Sequence, residues 1–236
     1  MRLVPVLLSL AALWPAGVAA QEQRSFTLPS GCTAHLTVQS RACQVTHHFT
    51  CEGDPEGWQR RVDLDMDGAT YVGAIDAETQ WMESFHIGAG HRERLEEAPR
   101  DPASFSALLA DGTDTFDFRT LSDEVGTTRY VGFDTLTGVT TQIDGVTLEQ
   151  TANTIMATGE DGQTIWQAQG NEWISREFRM FLSGVSEITT PDGTFEMDNS
   201  PVDLIRPGEP GFLSAFPKHG CGETVSALPG GTAGQG

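Results

Sequence analysis

Five Asp-Gly pairs, at Asp67-Gly68, Asp111-Gly112, Asp144-Gly145, Asp161-Gly162 and Asp192-Gly193, divide the chain into short segments. Aspartate and glycine tolerate the positive φ of tight turns, so such pairs between alternating apolar segments are the strongest short-range hairpin signal. Four of them separate stretches rich in Val, Ile, Thr, Phe and Trp, such as "TTQIDGVTLEQ" and "VSEITTPDGTFEM". The fifth closes "DPASFSALLADG". There Asp101 suits an N-cap and Pro102 a first helical position, Phe105, Leu108 and Leu109 share a face, and Gly112 stops the helix. "SREFRMFLSG", from Ser175 to Gly184, reads as a turn at Ser175 to Glu177 and then a strand to about Ile188. The expected fold is mostly β, an antiparallel meander forming a curved sheet, open barrel or sandwich, with one short helix near 102–111.

The cysteines fix the N-terminal hairpin. Ala34, Leu36 and Val38 alternate after Cys32, and Val45 and Phe49 alternate before Cys51. A loop from Ser40 to Cys43 sets Val38 opposite Val45, Leu36 opposite His47, Ala34 opposite Phe49 and Cys32 opposite Cys51. The register that matches the apolar faces also aligns two cysteines, which predicts a Cys32–Cys51 disulfide worth about 3 kcal/mol. Cys43 and Cys221 are left to pair, tying the C-terminal segment to this hairpin. No Cys-x-x-Cys occurs, which argues against a structural metal site built on the thiols.

Disulfides need an oxidising compartment, and the first residues agree. Arg2, an apolar run from Leu3 to Trp14 and small residues up to Ala20 have the layout of a secretory signal peptide, with cleavage expected after Ala20. That run is shorter than the roughly 20 residues that span a bilayer, and the rest of the chain carries no second one. No membrane span is expected, and the localisation expected is periplasmic or secreted. A single β-rich domain over 21–226 and a disordered tail, 227–236, complete the expected organisation. The formal charge of −19 repels polyanions, so nucleic acid is not an expected partner.

Chemistry-bearing patterns are few. No Gly-x-Ser-x-Gly, His-Glu-x-x-His, Ser-x-x-Lys or phosphate-binding loop is present, so no catalytic residue and no cofactor are assigned. His35 and His48 stand opposite each other on the polar face of the predicted hairpin, as a weak two-ligand metal candidate, while His47 points inward. His86 and His91 flank "IGAG" near a turn and receive no role. Asp63, Asp65 and Asp67 before Gly68 resemble the opening of a calcium loop. Position twelve of such a loop is Ala74 rather than glutamate, and the alternating Val62, Leu64 and Met66 favour a strand. On that reading Leu64 faces Tyr71, Asp63 and Asp65 point outward, and their carboxylates do not meet. Trp58, Trp81, Trp166 and Trp173 read as core residues rather than a pocket lining.

At "GNEWISREFRMFLSG" (Gly170 to Gly184) and "SPVDLIRPGEPGF" (Ser200 to Phe212), the chain resembles a family of uncharacterised exported proteins of Gram-negative bacteria. That family carries no assigned activity, so the resemblance implies export and transfers no functional residue. The expected function is a non-catalytic periplasmic β domain that binds a small apolar ligand or an envelope protein. One alternative is a secreted metal- or carboxylate-dependent hydrolase, using the aspartate stretch or His35 and His48. The other is an envelope structural or interaction protein.

Overall fold

The computed structural model describes residues 25 to 222. The expected leader, the tail and the domain end at 226 lie outside the described residues. Strands β1 (Cys32–Ser40), β2 (Gln44–Cys51), β3 (Gln59–Leu64), β4 (Ala69–Ile75), β5 (Trp81–His86) and β6 (His91–Leu95) precede the helix α1 (Phe105–Asp111). Strands β7 (Thr113–Ser122), β8 (Gly126–Ile143), β9 (Val146–Thr158), β10 (Thr164–Ser175), β11 (Met180–Thr190), β12 (Gly193–Asp198) and β13 (Pro201–Ile205) follow it. All thirteen strands form one antiparallel sheet in the order β12-β11-β10-β9-β8-β7-β6-β5-β4-β3-β2-β1-β13. It is a meander whose last strand returns to flank the first, an open sheet rather than a closed barrel.

Four of the Asp-Gly pairs turn hairpins as their chemistry requires. At the β8–β9 turn both residues have positive φ, 46° at Asp144 and 79° at Gly145. Asp111-Gly112 ends α1 instead, with Gly112 at φ 77° donating its N–H to the Leu108 carbonyl. The helix starts later than its Asp-Pro suggests. Its N-cap is Ser104, whose hydroxyl accepts from the Ala107 N–H, and Asp101 bridges to β7 at Asp117. The turn expected at Ser175 falls at Arg176 to Arg179, and β11 begins at Met180.

Both disulfides form as the spacing requires, Cys32–Cys51 across the first hairpin and Cys43–Cys221. The register between them differs from the simple alternation. A bulge between Ala34 and Leu36 shifts the inner half by one residue, so Leu36 faces His48, Thr37 faces His47 and Gln39 faces Val45. The bulge is tolerated because β1 is covered on both sides. On one side Thr37 and Gln39 meet the C-terminal segment, where Thr37 Oγ1 accepts the Leu213 N–H (3.0 Å) and Gln39 Oε1 the Lys218 N–H (2.9 Å). The Pro/Gly run after Ile205 is thus the crossing that carries the chain back over β1 to Cys221.

On the other side of β1, Leu36 and Val38 join Leu204 of β13 against Val146 and Leu148 of β9 and Met180 and Leu182 of β11. Strands far apart in the sheet order therefore lie face to face. A register shift in β8 between Leu136 and Thr140, at Gly138 (φ 79°), bends the β8–β9 hairpin. Its tip reaches β13, where Asp144 accepts the Leu204 N–H (2.9 Å). Trp173 packs towards this cluster, so Glu172 and Ile174, which alternate with it along β10, occupy the opposite face. That face carries the helix: Phe105 and Leu108 pack on Ile174 and Leu136. Gly170 lies where β11 bulges towards β10, and a Cβ there would overlap the Val185 carbonyl oxygen. Gly170→Ala should lower stability by about 2 kcal/mol, read as a fall in the urea midpoint at unchanged slope.

Candidate functional site

The helix-bearing face is built from rows of residues paired across β8 to β12. One row runs Gly132, Ile155, Ala168, Ile188 and Phe195, and the next runs Asp134, Asn153, Gly170, Ser186 and Met197. The first row is apolar and half-buried from β8 to β11, opening at its β12 end, where Phe195 is 46% exposed and Met197, in the next row, 38%. Trp166 continues it towards Tyr130, Phe118 and Phe116. About 7 Å along the strands, the second row begins with a carboxyl that is 8% exposed, Asp134.

Asp134 has one carboxylate oxygen without a hydrogen-bond partner, as have the side chains of Asn153 beside it and Thr151 further along β9. Burial, and then the charges of Glu172 and Asp114, push Asp134 up to about 8. Burial likewise pushes Glu172 up to about 7, against the lowering pull of Arg61. Their titrations are linked through charge, and protonation of either relieves the repulsion. Arg61, of β3, faces them from across the fold, its guanidinium 4.8 Å above the Tyr71 ring. Two carboxyls of raised pKa next to an apolar strip that opens at one end are the arrangement that most departs from ordinary surface chemistry among the described residues.

His35 and His48 are not the exposed opposed pair that the unbulged register implies. His35 is the bulge residue and stacks on Phe178, with ring centroids 6.1 Å apart. His48 is buried, its Nε2 lacks a hydrogen-bond partner, and its ring centre lies 6.4 Å from that of His35. Burial, with Arg61 next to it, holds the His48 imidazole well below its usual range. The same guanidinium repels a metal cation from this pair. His47 points inward as expected, fully buried and bonded through Nδ1 to Thr37 Oγ1 (2.9 Å).

The aspartate stretch does not form a calcium loop. Asp63 is buried, not outward: it accepts from Thr46 Oγ1 (2.9 Å) and lies 3.5 Å from the Arg61 guanidinium. It faces Tyr71, while a bulge sets Leu64 opposite Ala69. Asp65 lies just past the strand and accepts the N–H groups of Asp67 (2.7 Å) and Gly68 (3.1 Å), closing the turn on itself. The carboxylates therefore point to different partners. The tryptophans divide: Trp173 and Trp166 are half-buried and pack on core clusters as expected, whereas Trp81 is 39% exposed, edge-on to Phe118 and Tyr130, and Trp58 is half-buried outside those clusters.

A third group was given no role from sequence. His86 and His91 pair directly across the β5–β6 hairpin, and Glu93 stands on the same side. Their ligand atoms all lie within 4.8 Å of one another. Where β6 and β7 share two paired positions, a cavity of about 400 Å³ is lined by Phe85, Arg92 and Arg94, which alternate with the three cluster residues and so belong to the other face of the hairpin. A shallow groove of about 430 Å³ lies along β8 to β11, between Phe133 and Met156, but the polar Gln167, Gln169 and Glu187 share it and no buried titratable group faces it.

Nothing in "RYVGFDTLTG" or "GNEWIS" marks Asp134 or Glu172 as partners, because 38 residues and two hairpins separate them. The signal for the histidines was local: His-x4-His around a Gly turn, followed two residues on by Glu, places three ligands on one face of a hairpin. No family model, curated protein or solved structure matches this chain.

Proposed function

We propose that this chain is a non-catalytic binding protein of the periplasm whose helix-bearing face holds an apolar molecule with a cationic head. The observation that carries the reading is the apolar strip of Ile155, Ala168 and Ile188, which opens at Phe195 and Met197 and lies beside the buried Asp134, with the half-buried Glu172 one row beyond. An apolar body covering the strip removes exposed hydrophobic area from water at about 25 cal/mol per Å². An amine head would meet carboxyls whose mutual repulsion it relieves. The two disulfides suit an oxidising, extracytoplasmic compartment, and no helix among the described residues is long and apolar enough to cross a membrane.

Displacement of the fluorescent apolar probe N-phenyl-1-naphthylamine tests this. Dodecylamine should displace the probe at least tenfold more effectively than dodecanoate, with release of protons to the buffer as Asp134 and Glu172 ionise. Phe195→Asp or Ile188→Asp should abolish probe binding, and Glu172→Gln should remove the preference for the amine. Failure of the probe to bind, or equal displacement by amine and acid, would refute the reading. Native mass spectrometry of protein taken from its own compartment would identify the retained molecule.

A further inference from the structure

We propose that His86, His91 and Glu93 form a binding site for a divalent transition-metal ion of the zinc class. The site does not depend on the ligand reading above.

Three features build it. The β5–β6 hairpin places His86 directly opposite His91, and the alternation of β6 brings Glu93 to the same side. The turn between them closes through Gly90, at φ 73°, whose N–H donates to the His86 carbonyl (2.8 Å). The two imidazoles stack with centroids 4.6 Å apart and both turn Nε2 to one carboxylate oxygen: Glu93 Oε1 lies 3.0 Å from His91 and 3.8 Å from His86. Zinc bonds nitrogen and carboxylate oxygen at about 2.0–2.2 Å, so two corners of its tetrahedron are separated by about 3.4 Å. The observed spacings bracket that value, and the His86 side chain, 42% exposed, is free to turn the remaining fraction of an ångström.

The surroundings orient the carboxylate as metal sites do. Glu93 Oε2 accepts from Thr120 Oγ1 (2.7 Å) and from the Tyr130 hydroxyl (3.4 Å), which leaves Oε1 for the histidines. Tyr71 meets the His86 ring edge-on, with centroids 5.2 Å apart. Two imidazoles and one carboxylate are a borderline donor set, suited to Zn²⁺, Co²⁺ or Ni²⁺ and poor for Ca²⁺ and Mg²⁺, which require more oxygens. Three protein ligands leave a fourth position for water or a bound anion. The difference from His35 and His48 is the carboxylate: Glu93 completes this cluster, and among the described residues no such third ligand joins the other pair.

Isothermal titration of chelator-treated, tag-free protein with ZnCl₂ tests the proposal. One Zn²⁺ per chain should bind with micromolar or tighter affinity, and Co²⁺ should give the visible absorption of a four-coordinate N/O site. His86→Ala and His91→Ala should each weaken binding at least tenfold, whereas His35→Ala should leave it unchanged. Both cluster variants alter partly exposed side chains, and near-ultraviolet circular dichroism will show whether they keep the native fold. Absence of saturable Zn²⁺ binding would overturn the proposal, as would binding that survives both cluster variants or is lost with His35.

Discussion

Removing the Cys43–Cys221 bridge, by replacing both cysteines with serine, is expected to lower the melting temperature by about 10–20 °C. The bridge spans 178 residues, against 19 for Cys32–Cys51. Loop-closure entropy assigns about 5 kcal/mol to the longer loop and about 3 kcal/mol to the shorter. In a chain of this size each kcal/mol moves the midpoint by about 2–4 °C. The longer bridge also fastens the segment that covers Thr37, Gln39 and His47, all fully buried. Calorimetry of the two double-serine variants would rank the bridges. A smaller loss for Cys43 and Cys221 than for Cys32 and Cys51 would show that hydrogen bonds to Thr37 and Gln39 hold that segment without the covalent tie.

The second large effect is a loss of stability with rising pH. Asp134 and Glu172 keep their protons in the folded chain up to about 8 and about 7, while in the unfolded chain they release them near pH 4. Between those limits the folded state binds more protons, so the free energy of unfolding falls as pH rises. Two buried histidines act oppositely. Burial lowers His47 to about 4 and holds His48 well below its usual range, so the unfolded chain takes up protons that the fold refuses below about pH 6.5. From about pH 4.5 to 6.5 the two contributions nearly cancel. Above that range the carboxyl pair acts alone, and stability should fall by about 3 kcal/mol between pH 6.5 and 9. Asp134→Asn should remove most of that fall and make the protein more stable than the parent at pH 9. Urea midpoints across the range give the profile; a flat one would mean that Asp134 is charged and stabilised in the folded protein.

The fold was legible where chemistry is local. Asp-Gly turns, alternating apolar segments and the coincidence of Cys32 with Cys51 give the β class, the helix and both disulfides. A one-residue bulge at His35 was not legible, because the side of β1 that it re-aims is covered by Leu213 and Lys218, from the far end of the chain. The bulge moved His48 from a presumed open face into the interior. Asp63 failed for a related reason: alternation says which residues share a side of a strand, and only the rolled sheet decides that both sides of β3 are covered. The carboxyl pair was invisible for want of proximity in sequence, whereas His86, His91 and Glu93 were within reach of a reading that followed cross-strand pairs through a glycine turn.

The place of β13 has a consequence for how the molecule is made. Among the described strands β1 is the first in sequence, and the partner on its free edge, β13, begins at Pro201. The β1–β2 hairpin can pair early. Its outer edge, with apolar Leu36 and Val38 beneath, must then wait for nearly the whole chain before it is covered. Contacts so distant in sequence slow folding and prolong exposure of an unpaired strand edge. A chain stopped before Pro201 would therefore be an aggregating species with an open edge rather than a smaller version of this protein.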